Sequence, residues 1–138
     1  MFKIDRSCKP DDFHIKNDID LRSSTVVDYL VKDCHNKCYI CEQKDFTDKE
    51  IEHIIPHQDD KKLKYDWYNL LLSCSHCNGI KRTRRIINCI ETDPEEYIEL
   101  RYKSSSYGFV EKIKVDVNEN KNINAELLYD TIKILEDI

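Results

Sequence analysis

Residues 66–78 read Asp66-Trp67-Tyr68-Asn69-Leu70-Leu71-Leu72-Ser73-Cys74-Ser75-His76-Cys77-Asn78, and the fold turns on how this stretch is read. Leu70 to Leu72 suggest a short strand, and a helix is predicted from near Ser75 through Ile86 and Ile87. Upstream, Ile51, Ile54 and Ile55 mark another short β-branched strand around Glu52 and His53, which Pro56 stops. A polar loop from His57 to Asp66 joins the two. The local order is therefore strand, strand, helix.

Working outward, Val26, Val27, Leu30, Val31 and Cys34 recur at helical spacing between Ser24 and about Asn36, with Ser23 to Thr25 able to cap. On the other side, Asp93-Pro94-Glu95-Glu96 has the composition of a helix start: a capping side chain, proline in the first turn and carboxylates near the positive dipole end. Ser104 to Gly108 should break that helix. Ile113, Val115 and Val117 alternate like a half-buried strand, Asn118 to Asn122 turn, and Leu127, Leu128, Ile132 and Leu135 predict a closing helix.

The 138 residues (16.5 kDa) suit one domain over 1–138. With 22 Lys and Arg against 27 Asp and Glu, the net charge of -5 excludes a uniformly basic, DNA-coating protein. A hydrophobic share of 40% beside 36% charged residues supports a modest core rather than a disordered chain. No apolar run approaches the roughly 18 residues needed to span a bilayer, and the charged start lacks a signal segment, so the expectation is a cytoplasmic protein without a membrane partner.

Seven cysteines are many for this length. An odd count in a reducing compartment favours metal over disulfides. Cys38 and Cys41 form one C-x-x-C and Cys74 and Cys77 a second, while Cys8, Cys34 and Cys89 stand apart as buried or incidental thiols. Two such knuckles complete a tetrahedron suited to structural zinc, the competing reading being a redox C-x-x-C. Between the pairs lie His53, Glu52, Asn69 and Asn78. A histidine takes a proton from water near neutral pH, and carboxylate and amide oxygens are hard ligands that suit magnesium or manganese. Together they describe metal-assisted hydrolysis.

Glu52-His53, Asn69 and Asn78, framed by the cysteine pairs, resemble the HNH motif of the ββα-metal endonucleases, over about residues 38 to 85. The resemblance implies that His53 is the general base, Asn69 its orienting partner, Asn78 a ligand of the catalytic magnesium or manganese ion, and Glu52 a second ligand. The implied class is α+β: a ββα-metal core over about 38–88 stapled by a four-cysteine zinc site, an N-terminal helix over about 24–36 and a C-terminal α/β extension over about 93–138. More narrowly, Cys38-Tyr39-Ile40-Cys41-Glu42, Glu52-His53-Ile54-Ile55-Pro56-His57 and the 66–78 stretch resemble the small HNH subunits of Septu and retron-associated anti-phage defence systems. Those subunits work beside an ATPase. That resemblance implies a defence-system endonuclease acting on DNA with a larger ATPase or other defence subunit.

Lys81, Arg82, Arg84 and Arg85 form a positive run after Asn78, expected to contact the phosphate backbone. From Asp116 to Ile138 six acidic side chains face two basic ones, a balance that suits a protein partner better than DNA. His57 and His76 are surface polar groups or metal neighbours, His35 a spare ligand, and Trp67 a core anchor. Two other functions fit the same residues: a zinc-stapled binding module without catalysis, and an HNH nuclease acting on RNA.

Overall fold

A computed structural model describes residues 1–11, 13, 21, 23–104, 110–118 and 122–138. Backbone alone is described for 100–104 and 110–114. The Ser104 to Gly108 break and the Asn118 to Asn122 turn thus fall largely outside the described residues.

The first helix, α1 (Ser24–Asp33), starts at Ser23, whose hydroxyl accepts the Val26 N–H, and it buries Val26, Leu30 and Asp33, positions i, i+4 and i+7 on one face. It stops three residues before the expected Asn36 because His35 and Asn36 take φ of 54° and 55°, left-handed values that a helix cannot continue through. Strand β1 (Lys49–His53) pairs antiparallel with β2 (Leu70–Cys74), in a register that sets Glu52 opposite Leu71 and His53 opposite Leu70. β2 is buried at all five positions, as its unbroken apolar run requires. The connection holds one helical turn, α2 (Lys61–Lys64), capped by the Asp60 carboxylate, and a 3-10 turn over Trp67–Asn69 capped by Asp66.

Helix α3 (Ser75–Lys81) grows directly out of β2, with Cys74 as its N-cap. It is shorter than the expected helix through Ile87. Arg82 adopts φ 50°, which turns the chain so that Ile86 and Ile87 enter the core at 2% and 1% exposure instead of lying along a helix face. The helix expected after Asp93 is also corrected. Pro94–Glu96 makes one 3-10 turn, and Ile98–Ser104 forms β3, paired antiparallel with β4 (Val110–Val117). Pairing with a strand partner overrides the local helix-start composition. The closing helix α4 (Ala125–Glu136) buries Thr131, Ile134 and Leu135, and Thr131 Oγ1 accepts the Ile87 N–H at 3.0 Å. Among the described residues no helix is long and apolar enough to cross a membrane.

The core runs from Met1, Ile4 and Phe13 through α1 and β2 to Ile134 and Leu135. Trp67 is its aromatic centre, 1% exposed, edge-on to Phe13 and Tyr29, with Nε1 donating to the Ser7 carbonyl at 3.1 Å. The Arg6 guanidinium lies 4.2 Å over its ring and pairs with the buried Asp33 carboxylate. The fold is thus α+β, with a β1–β2–α3 unit between flanking helices.

Candidate functional site

The unit's first corner is made of sulfur. Cys38 sits on a tight turn, its N–H bonded to the Gln43 carbonyl and its own carbonyl accepting the Glu42 N–H, with Glu42 at φ 62°. Cys74 ends β2, and its Sγ accepts the Cys77 N–H at 3.5 Å, so each knuckle curls around its sulfurs. A hydrogen bond from Tyr39 N–H to the Leu72 carbonyl (3.0 Å) ties the first knuckle to β2. The ligand atoms of Cys38, Cys41, Cys74 and Cys77 all lie within 4.8 Å of one another. A tetrahedron with Zn–S bonds of about 2.3 Å needs sulfurs about 3.8 Å apart, so the cluster fits zinc after a small contraction. The same crowding shows in acidity. Hydrogen bonds to Cys38 and Cys77 bring the Cys41 thiol down to about 4, and bonds to Cys38 and Cys41 push Cys77 up. Cys34 and Cys89 are different: burial pushes them up to about 11 and about 12, which makes them inert core thiols, while Cys8 is exposed.

The second feature is the histidine face. Strand alternation sends Glu50 and Glu52 towards α3 and His53 towards the α2 loop. His53 Nε2 lies 3.0 Å from the Lys64 carbonyl. A carbonyl accepts only, so the proton sits on Nε2 and Nδ1 keeps its lone pair. Burial, outweighing the bond to Lys64, lowers the His53 pKa below its ordinary 6.5, so the ring is neutral at neutral pH. Asn69, 3% exposed, makes its side-chain hydrogen bonds to backbone and none to the His53 ring. Its Nδ2 donates to the carbonyls of Ile55 (2.9 Å) and Leu63 (3.0 Å), and its Oδ1 accepts the Ile55 N–H at 2.8 Å. It clamps both ends of the loop whose next carbonyl, that of Lys64, holds His53. Asn69 is therefore joined to the His53 ring through backbone groups of this loop.

On the α3 side, Glu52 is 7% exposed and its Oε1 accepts from Lys81 Nζ at 2.9 Å. Lys81 also donates to the His53 carbonyl at 2.6 Å and is 0% exposed. Burial raises the Glu52 pKa while the Lys81 ammonium pulls it back. Lys81, expected on the phosphate-facing run, is instead an interior counter-ion: its position three residues after Asn78 aims it inward at β1. Asn78 Nδ2 lies 3.3 Å from Glu50 Oε2. Glu50 was legible as a neighbour of this site, since it shares a strand face with Glu52 two residues on. His57, open in the sequence between a surface polar group and a metal neighbour, stacks edge-on to His53 with ring centroids 4.7 Å apart.

The remaining cations divide. Arg84 pairs with Asp137 at 3.1 Å and caps the Ile80 carbonyl, and Arg82 Nε donates to the Gly79 carbonyl at 3.1 Å. Arg85 is exposed and has no partner among the described residues. The acidic C-terminal segment thus reaches back, through Asp137, to neutralise part of the positive run.

Residues 38–84 match the HNH endonuclease family. Over 79 residues the chain is 34% identical to the Septu protein PtuB of Bacillus thuringiensis, an alignment that covers 51% of this chain and 31% of that protein. The chain therefore matches about a third of the length of this curated relative. No solved structure matches. The match to the HNH endonuclease family opens on the first knuckle cysteine and closes just past α3, the same stretch that builds the sulfur corner and the histidine face.

Proposed function

We propose that this protein is a metal-dependent endonuclease that hydrolyses phosphodiester bonds in DNA, the cytoplasmic nuclease of a bacterial anti-phage defence system working beside a larger ATPase subunit. The observation that carries the chemistry is the Lys64 carbonyl on His53 Nε2, which leaves Nδ1 free as a base on an uncharged ring. The defence role rests on the similarity to the Septu protein.

In this reading His53 Nδ1 takes a proton from water, the water oxygen forms a bond to phosphorus, and the opposite ester oxygen leaves and is reprotonated by solvent. The Lys64 carbonyl stabilises the imidazolium that forms, and Asn69 keeps that carbonyl in place. Asn78 and Glu52 would hold the divalent ion; their oxygens are the hard donors such an ion takes, with Glu50 beside Asn78 as a further carboxylate. The ion supplies neutralisation of charge on the phosphate and leaving oxygens. Lys81 Nζ donates to Glu52 Oε1 and fixes the carboxylate.

The test is plasmid and oligonucleotide cleavage with magnesium or manganese by wild type and His53→Ala, each with and without the neighbouring gene product. His53→Ala should keep its fold and zinc and lose about 10²- to 10⁴-fold in rate. Undiminished cleavage by that variant sinks the assignment.

A further inference from the structure

Beside the histidine face lies a cavity of about 280 Å³ whose lining joins the end of β1, the α2 turn and the chain after α3. Ile55, Pro56 and Leu63 give it an apolar wall, while His57, Thr83, Arg85 and Asp60 supply polar groups. Its size falls just under the range of about 300–1,000 Å³ that encloses drug-sized ligands, which suits one nucleotide and is far too small for a base-paired segment.

The polar groups are set for a nucleotide. His57 Nδ1 accepts the Asp59 N–H at 3.1 Å, so the neutral ring carries its proton on Nε2 and presents a donor. Arg85 is the cation of the run that no described residue occupies, and a guanidinium binds phosphate oxygens through paired N–H groups. Asp60 already caps α2 through its Oδ1, leaving a carboxylate that accepts from a base amino group and repels a bare anion. The turn is built at a conformational cost: Gln58 and Asp59 hold φ of 43° and 68°, left-handed values that non-glycine residues avoid.

We propose that this cavity binds an unpaired nucleotide next to the scissile phosphate, with its base against Ile55, Pro56 and Leu63 and its phosphate on Arg85 and His57. The inference rests on the nuclease reading, since the His57 ring touches the His53 ring and places the cavity one residue from the base. A base seated there has left its stack, so the favoured substrate is a strand that is already unpaired, in a single strand, loop or bulge.

The experiment measures binding of the full chain carrying His53→Ala, by fluorescence anisotropy. The probes are a single-stranded DNA 12-mer, the matched RNA, a blunt duplex of the 12-mer with its complement, and inorganic phosphate as competitor. The single strands should bind about tenfold more tightly than the duplex. Thr83→Trp, which fills the cavity from an exposed position, should remove that preference, and Arg85→Ala should weaken single-strand binding about tenfold. The DNA and RNA arms tell which sugar the cavity accepts. Equal affinity for single strand and blunt duplex, or unchanged single-strand binding by the Thr83→Trp protein with native zinc content and circular dichroism, overturns the proposal. Competition by millimolar inorganic phosphate as strong as by the oligonucleotide also overturns it, because the base would then contribute nothing. Nuclease failure reads separately: wild type that cuts no substrate yet keeps the single-strand preference refutes the chemistry and not the cavity.

Discussion

The sulfur corner and the histidine face use the same hairpin and helix, yet they are assembled in opposite ways. The corner takes two ligands from each of two tight turns, and each turn organises its own pair: Cys74 Sγ already accepts the Cys77 N–H. The histidine face takes Glu52 and His53 from β1 and one residue each from the α2 loop, the 3-10 turn and α3, and their partners come from elsewhere in the chain. His53 depends on Lys64, Lys64 on the loop that Asn69 clamps, and Glu52 on Lys81. The difference teaches where each site should fail. The corner should fail by losing the fold, the face by losing geometry while the fold persists.

The largest effect expected from that contrast is at the corner. Cys74→Ser, or removal of zinc by a chelator, should cost most of the binding free energy of a structural site, of order 10–16 kcal/mol, and abolish cooperative unfolding. Zinc content by elemental analysis with circular dichroism reads this out; a folded, zinc-free Cys74→Ser protein would break the comparison.

Next comes the buried ion pair. Lys81→Met strands the Glu52 carboxylate and should destabilise by about 3–5 kcal/mol, whereas the double change Lys81→Met with Glu52→Leu should regain much of that loss. Denaturant unfolding of both proteins measures it. If the double variant is stable but inactive, Glu52 serves chemistry; if it cuts normally, the carboxylate is only the partner of Lys81.

Asn69→Ala should be milder in stability, about 1–3 kcal/mol in all, because Ile55 is exposed and water can replace the amide on its backbone groups, and it should lower kcat more than it raises KM because the Asn69 amide is taken up by backbone of its own loop. Unchanged kcat would separate the clamp from the ring proposed as base.

The smallest effect is on pH. The folded His53 pKa lies below its unfolded value, so the unfolded chain binds more protons. The neutral ring adds stability at pH values above the ordinary 6.5, and that contribution fades as pH falls through the lower folded value. Cleavage should follow the same sign, with its acidic limb below 6.5; a nearby divalent cation moves the limb further in the same direction. A limb above pH 7 in the rate profile would mean that His53 is not the base.

Much of this is legible in the sequence alone. The two C-x-x-C pairs, both strands of the hairpin and the closing helix all follow from local spacing and apolar run length. The misreadings share a cause. Pro94–Glu96 looked like the start of a helix, and β3 exists there because β4 pairs with it. Ile86 and Ile87 looked like helix, and they leave α3 because Arg82 turns the chain to bury them. Lys81 looked like a phosphate contact, and its ammonium is interior because Glu52 waits across the hairpin.

By itself, then, the sequence determined the four cysteines of the sulfur corner and the order of the ββα unit, and it singled out His53 as the candidate base, because contacts within a few residues depend on spacing alone. The tertiary structure decided which cation points inward, which carbonyl fixes the His53 tautomer, and that His57 and Arg85 line a cavity beside it. Those facts join residues far apart in the chain, and their outcome depends on which buried charge finds a partner when the elements pack.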